Sequence, residues 1–371
     1  MGLHARPAFS NATDEAVAIA AIHRQIDDDD LKAVLIFVSD GYRLEALAGQ
    51  LRQAFSVPVF GCTTAGTIGP GGYHRHGIQA VGICGTSVSL AVELIHPLNQ
   101  CQSAISELGR RLEANPPQDQ AHRFGLLLVD GLSRMEERLA ASLHHCLPDI
   151  PLIGGSAGDD LAFQSTFVYA HGRFLADAAV FAVFDTDTPF TTFKFQHFEP
   201  TDELLVVTEA DAETRTVHEI NGEPAALAYA RKLGLRVTEL SPDVFSRAPV
   251  LLKLGGEHYV RSIQRCNDDL SLTFYCAIAK GIVLRLGKAV NPLEAFEKAF
   301  AEVRRQVPNP SLVIGCDCIL RRLEFEQNGM SEQIGRLLTQ HRVVGFSTYG
   351  EQFNALHMNQ TFTGLAVGDG E

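Results

Sequence analysis

The chain carries short apolar runs, too continuous for half-exposed strands and too short for helices. They are Ala33–Val38 (AVLIFV), Gly125–Val129 (GLLLV) and Leu312–Gly315 (LVIG). Strands buried on both faces read this way. A helical period follows the first two: Leu44, Leu47, Leu51 and Phe55 share one face, as do Met135, Leu139 and Leu143. A second apolar run then enters a Gly-x-Ser/Thr turn, in Val59–Gly66 (VFGCTTAG), Leu152–Gly158 (LIGGSAG) and Val343–Gly350 (VVGFSTYG). Further strands are expected over Ile78–Cys84, Ala178–Phe184 and Thr361–Val367. The unit is strand, helix, strand, turn, strand, and it occurs three times. This predicts a mixed α/β fold with two sheet-containing domains.

Residues 1–30 are expected to form an N-terminal helix and an acidic loop, Asp27–Asp30. A first domain is expected over 31–220 and a second over 221–367. The boundary follows the strand Leu204–Thr208, where Val217–Gly222 leads into a helix from Pro224, a residue suited to a first helical turn. The second domain holds the runs Val250–Leu254, Tyr259–Ile263, Ser271–Ala277 and Val283–Leu286, a helix over Pro292–Arg305, and the third repeat.

Composition narrows the function. The 371 residues, 46% of them hydrophobic, are comfortable for two domains. A net charge of −13 with no basic stripe argues against nucleic-acid binding and leaves a basic protein partner or a homo-oligomer open. No apolar run reaches 18 residues, so no membrane span is expected, and no signal-peptide pattern is visible. Eight scattered cysteines inside apolar runs read as reduced core thiols of a cytoplasmic protein.

Gly154–Gly158 (GGSAG) matches the nucleophile elbow, which needs a strand before it and a helix after it. No helix is expected after Ser156, and Thr63 and Ser347 occupy the same slot in the other repeats. A hydrolase using Ser156 is therefore a minor alternative. The glycine-rich Gly66–Gly72 leads into a strand and not a helix, so it reads as a connection and not a phosphate cradle. Cys316 and Cys318 lack the second ligand pair of a zinc site. Among fourteen histidines, His197 stands out. A strand over Thr191–Phe198 puts Phe193, Phe195 and His197 on one face, an imidazole at the end of an aromatic wall. That pattern suits the axial ligand of a non-covalent haem b, since no C-x-x-C-H is present. The bland reading is a histidine bonded to a carbonyl. His357 is the second candidate. His74 and His76 read as solvated, and His144 and His145 as helix-end cations.

At Val59–Gly66, Leu152–Asp159, Val344–Glu351 and Asn359–Thr361 the chain resembles a FIST protein, an N-terminal FIST domain followed by a C-terminal one. The resemblance covers roughly residues 30 to 367 and implies a sensory protein that binds a small molecule and is not an enzyme. Glu219–Ala225, Tyr259–Ile263 and Phe274–Ile278 are similar to the NosP group of haem-binding nitric-oxide sensors. That similarity implies haem as cofactor, nitric oxide as signal, and a histidine kinase or cyclic-di-GMP enzyme as partner. The alternative is a haem-free FIST sensor, with a pocket lined by the repeated turns, for a small polar metabolite such as an amino acid.

Overall fold

The structure, a computed structural model, describes residues 2–118 and 121–368. The first repeat comprises β1 (His4–Ser10), α1 (Glu15–Ile26), β2 (Leu31–Ser39), α2 (Leu44–Ala54), β3 (Val59–Thr64), the hairpin β4 (Thr67–Gly69) and β5 (Gly72–His74), and β6 (Ile78–Cys84). The second runs β7 (Val88–Ile95), α3 (Cys101–Ala114), β8 (His122–Val129), α4 (Glu136–Cys146), β9 (Leu152–Ser156), the hairpin β10 (Val168–Ala170) and β11 (Arg173–Leu175), and β12 (Ala179–Thr186). The third opens with β13 (Phe190–Phe195), and the chain then leaves to build a separate lobe. That lobe holds β14 (Phe198–Asp211), β15 (Thr216–Ile220), β16 (Glu223–Pro224), α5 (Ala225–Leu233), α6 (Pro242–Arg247), β17 (Val250–Leu254), β18 (Glu257–Arg261), β19 (Ile263–Cys266), β20 (Leu272–Phe274) and β21 (Val283–Ala289). The third repeat resumes with α7 (Pro292–Gln306), β22 (Leu312–Cys318), α8 (Ile319–Gln327), α9 (Ser331–Gln340), β23 (Val343–Thr348), the hairpin β24 (Glu351–Phe353) and β25 (Leu356–Met358), and β26 (Phe362–Val367).

The fold is mixed α/β, as the repeated units predict. Each repeat also begins with an additional strand and carries a hairpin that the linear reading did not separate. The boundary expected near residue 220 falls at the end of β15, inside the inserted lobe, whose single sheet runs from Phe198 to Ala289.

The three repeat sheets have one topology. Their strand orders are β1-β6-β2-β3-β10-β11, β7-β12-β8-β9-β24-β25 and β13-β26-β22-β23-β4-β5. In each, the first and second long strands are parallel and the fourth strand of the unit returns antiparallel. The last two strands always come from another repeat: repeat 1 is completed by the hairpin of repeat 2, repeat 2 by that of repeat 3, and repeat 3 by that of repeat 1. The exchange is cyclic and repeats in an approximately threefold pattern; the three sheets around their shared core are termed the barrel.

Strand alternation sorts the continuous apolar runs into two layers. Leu35 and Phe37, Leu126 and Leu128, and Ile314 and Cys316 point inward to one shared core, where Phe37 stacks on Phe346 with centroids 4.4 Å apart. Val34, Ile36 and Val38 point outward under α1 and α2; Leu127 and Val129 under α3 and α4; Val313 under α7 and α9. The inserted lobe has its own core, with Tyr229 and Phe245 packed over Leu205, Val207, Leu272 and Leu284. The expected acidic loop follows α1, and Pro224 stands just before α5.

The glycine of the Gly-x-Ser/Thr motif is a packing requirement. A Cβ on Gly61 would lie 1.9 Å from the Ile36 carbonyl oxygen, one on Gly154 2.0 Å from that of Leu127, and one on Gly345 1.8 Å from that of Gly315. The motif lies inside the second parallel strand of each repeat, not in a turn as the sequence pattern indicated. Gly61→Ala is therefore expected to destabilise the protein by about 1–3 kcal/mol or more, because a backbone carbonyl cannot step aside. Gly49→Ala in α2 meets only the Arg52 guanidinium at 3.9 Å and should gain up to about 1 kcal/mol. Denaturant midpoints of the two variants should move in opposite directions.

Candidate functional site

The threefold pattern exposes the places where one repeat departs from the other two. Between the second strand and the hairpin, repeats 1 and 3 use the short links 65–66 and 349–350. Repeat 2 uses the much longer 157–167. In this loop Asp160, Leu161 and Phe163 all have positive φ, at 49°, 70° and 51°. Left-handed backbone costs a non-glycine residue roughly 1–2 kcal/mol, so the loop holds only if its surroundings fix it. The Asp159 carboxylate does so, accepting the N–H groups of Phe163, Gln164 and Ser165 at 2.9, 2.7 and 2.9 Å and the hydroxyl of Tyr349. The Tyr349 oxygen accepts in turn from the N–H groups of Leu161 and Asp159 at 2.7 and 3.3 Å.

The loop roofs a cavity of about 280 Å³ at the carboxyl ends of β2 and β3, lined by Ser39, Asp40, Tyr42, Thr63, Asp159 and Ser165 among others. Crevices at the carboxyl ends of parallel strands are where open α/β sheets bind ligands. Strand register places Ser39 opposite Thr64 as Cys318 stands opposite Thr348, with Asp130 one step beyond the Val129–Ser156 pair. Ser39 and Asp130 do the same work, accepting the N–H of Gly77 and of Asp177 ahead of the returning strand, at 2.7 and 2.6 Å. One residue further on, the repeats hold Asp40, Gly131 and Ile319. The Asp40 carboxylate is exposed and has no protein partner among the described residues. The N-cap residue of α2 just beyond it, Arg43, makes no side-chain cap, and its own N–H donates to Glu15 at 2.8 Å. At the other two junctions the space is filled. The Arg322 guanidinium lies where a Cβ of Gly66 would be and donates to the Ala65 carbonyl at 2.5 Å. The His357 ring lies where a Cβ of Gly350 would be.

The residues singled out for haem are elsewhere. Phe193 and Phe195 do share one face, and that face is packed: Phe195 meets Phe296 edge-on at 4.7 Å and stacks on Phe362 at 5.1 Å. His197 lies past the end of β13, wholly buried. Its Nε2 is 2.8 Å from Glu324 and its Nδ1 2.8 Å from Arg321, whose guanidinium also donates to Asp317 at 2.6 Å and sits over the rings of Phe195, Phe296 and Phe325. Burial lowers the His197 pKa, partly offset by Glu324. His357 is in a different place, with Nδ1 3.1 Å from the Gln352 amide. Neither histidine lines any of the five main clefts, and both ring nitrogens of His197 are engaged. A haem needs an open axial nitrogen and a cavity of roughly 300–1,000 Å³. As arranged, these residues do not form one.

Ser156 is fully buried, accepts from Gln352 at 2.9 Å, and is followed by a loop and not by the helix that a nucleophile elbow requires. Residue spacing alone did not single out Asp40, because an acidic residue in a turn reads as solvated. The signal lay in comparing the three repeats position by position.

Residues 32–223 match the FIST N domain and residues 225–354 the FIST C domain. The chain belongs to the FIST family. FIST domains are sensory domains of signal transduction. A protein of Methanocaldococcus jannaschii described as uncharacterized is 25% identical over 254 residues, 58% of this chain and 48% of that protein, so the match spans about half of the relative's length. Among the described residues, no helix is long and apolar enough to cross a membrane.

The FIST-like segments Val344–Glu351 and Asn359–Thr361 join the barrel to the inserted lobe. The Gln360 amide donates to the Ser246 carbonyl at 2.6 Å and accepts the Ser262 hydroxyl at 2.8 Å. Glu351 is wholly buried, bonded to the Thr348 hydroxyl and to the Thr361 N–H at 3.2 Å. Burial raises its pKa well above 4.5. A carboxyl raised in the folded state stabilises at low pH and loses that contribution as pH rises from about 4.5 through the folded value. Glu351→Gln removes the charge while its oxygen accepts the Thr361 N–H and its NH2 donates to the Thr348 hydroxyl. It is expected to raise the unfolding midpoint at pH 8, leave it little changed near pH 4, and flatten the profile between them.

Proposed function

We propose that this FIST protein is a haem-free sensor of a small polar metabolite, a binding module and not an enzyme, with its ligand in the cavity under the 157–167 loop. The observation that carries the reading is the broken threefold pattern. One of three equivalent junctions is left open, roofed by a backbone held in a costly conformation, and furnished with a carboxylate that does no structural work. Strain kept by an over-determined setting is characteristic of ligand clamps and switch segments.

The lining suits an amino acid or a compound of similar polarity. Asp40 offers a carboxylate to an ammonium group. The hydroxyls of Ser39, Thr63 and Ser165 and the uncapped first turn of α2 offer donors to a carboxylate. The output runs through the roof. On its far side Phe163 stacks on Tyr349 at 4.8 Å and lies 6.4 Å from Tyr275 of the inserted lobe. A ligand that prefers one arrangement of the loop therefore biases the position of the lobe, and only by its difference in affinity for the two arrangements. A signalling enzyme, a histidine kinase or a cyclic-di-GMP enzyme, would read that surface.

Thermal unfolding against a panel of amino acids and related amines tests the proposal. A ligand at 100 times its Kd adds about 2.7 kcal/mol, which for a chain of this size raises Tm by about 3–4 °C. Asp40→Asn should abolish the shift without changing the Tm of the free protein. A panel without effect, or an equal shift in Asp40→Asn, would overturn the assignment. Stoichiometric haem with a sharp Soret band that is lost in His197→Ala would favour the haem and nitric-oxide reading instead.

A further inference from the structure

The third hairpin breaks the pattern in a second way. The central cross-strand pair of the hairpin is Ile68–Tyr73 in repeat 1 and Tyr169–Phe174 in repeat 2, but Gln352–His357 in repeat 3. A buried polar pair has replaced an apolar one, and burying polar groups costs free energy unless they acquire partners. What they face is unusual. The imidazole of His357, the thiol of Cys276 from the inserted lobe, and the carboxylate of Glu137 from α4 have their ligating atoms within 4.8 Å of one another. Cys276 and His357 are buried, while Glu137 is partly open to solvent. The Cys276 thiol donates to the side-chain amide oxygen of Asn359, Oδ1, at 2.7 Å.

The polar groups around this cluster are incompletely paired. Gln352 Oε1, Asn359 Nδ2 and Arg261 Nε are buried with no hydrogen-bond partner. All three belong to residues touching the cluster: Gln352 to His357, Asn359 to Cys276, and Arg261 to the His357 carbonyl at 3.2 Å. Buried polar atoms are nearly always paired, so three orphans around one trio of donors mark a place built for something more.

We propose that Cys276, His357 and Glu137 form a zinc site that fastens the inserted lobe to the barrel, with the side-chain Oδ1 of Asn359 as fourth donor. One sulfur, one imidazole and carboxylate oxygen are donors of a borderline-soft cation and not of calcium or magnesium. Tetrahedral zinc with bonds of about 2.0–2.3 Å holds its donors roughly 3.3–3.8 Å apart, so closure takes movements of about 1 Å. The charges suit it. Zinc, one thiolate and one carboxylate sum to zero. Arg215, now shared by Glu136 and Glu137 at 2.7 Å each, keeps Glu136 when Glu137 turns to the metal. Arg261, which has no carboxylate partner among the described residues, gains a thiolate nearby. The exposed edge of Glu137 gives the ion its way in. The donors come from α4, from the segment at the end of β25 and from the inserted lobe, so occupancy sets how firmly that lobe is held. The observations behind this site are separate from those that carry the metabolite cavity.

Full-length protein stripped by a chelator and titrated with Zn²⁺, and separately with Co²⁺ under absorbance, tests it. The expected result is one equivalent of metal, with Co²⁺ giving a near-ultraviolet thiolate charge-transfer band and visible bands of a four-coordinate ion. Cys276→Ser should remove the charge-transfer band and weaken Zn²⁺ more than about 100-fold, since outer partners alone are worth about 10–100-fold. His357→Gln should weaken it comparably. Cys84→Ser, in the more exposed group His4, Asp28 and Cys84, should change nothing. Absence of binding by the parent protein, an unchanged band in Cys276→Ser, or loss of the band in Cys84→Ser would each overturn the site. Glu137→Gln, which leaves both buried donors in place, decides the matter if Cys276→Ser does not fold.

Discussion

Three backbone hydrogen bonds set the conditions for the rest of the molecule. Ala65 donates to the Ser347 carbonyl at 3.1 Å, Gly158 to that of Thr63 at 3.0 Å, and Tyr349 to that of Ser156 at 3.3 Å. They form a closed circuit, repeat 1 to repeat 3, repeat 2 to repeat 1, repeat 3 to repeat 2. Around the circuit each sheet is finished by a hairpin it does not own. No repeat can satisfy the edge of its second parallel strand by itself, and a buried edge with unpaired N–H and C=O groups is not tolerated. The three repeats must therefore fold as one body. The glycine in each Gly-x-Ser/Thr motif follows from the same constraint, because the two parallel strands approach too closely there for any side chain.

A symmetric frame of this kind gives each position two internal controls. Where all three repeats agree, as at Gly61, Gly154 and Gly345, the residue serves the frame. Where one departs, something else is being served. The open junction under residues 157–167 and the Gln352–His357 pair are both departures. They lie on different junctions and offer different chemistry, an open carboxylate in one and a buried imidazole beside a thiol in the other, although both meet the inserted lobe at neighbouring residues, Tyr275 and Cys276.

The buried strands and the helices over them were legible because continuous apolar runs and a 3.6-residue period have few alternative readings. The hairpins were not, since strands of three residues such as Thr67–Gly69 carry no period. The inserted lobe was hidden for a different reason. β13 and α7 belong to one repeat, but almost the whole lobe lies between them in sequence, so a linear reading assigns the strand after β13 to the first domain. Phe193 and Phe195 share one face of β13, while His197 lies past the end of that strand. What covers that face, Phe296 and Phe300 of α7 and Phe362 of β26, comes from residues far along the chain, and no local pattern near His197 announces it.

His197 stands where the chain leaves the barrel for the inserted lobe, and its surroundings explain why a histidine suits that place. It joins Arg321 to Glu324, while Asp317 is held by Arg321 and by the Tyr73 hydroxyl from the exchanged hairpin of repeat 1. A buried network of this kind adds little net stability over an apolar core of the same shape, because desolvation consumes most of the attraction. Its hydrogen bonds do have directions, so it admits few alternative arrangements. Arg321 is also enclosed by three aromatic rings, which fix the guanidinium plane. The exit of β13 is thereby fixed in angle. The lobe also meets the barrel through Arg215 with Glu136 and Glu137, and through Ser262 with Gln360. Tyr275 adds an apolar contact, packed with Ile319, Leu320 and Tyr349 of the barrel and Leu161 of the 157–167 loop. Contacts of this mixed kind, buried hydrogen bonds beside a small apolar cluster, tie the lobe to the barrel and to the 157–167 loop together, so the position of the lobe and the conformation of that loop depend on each other.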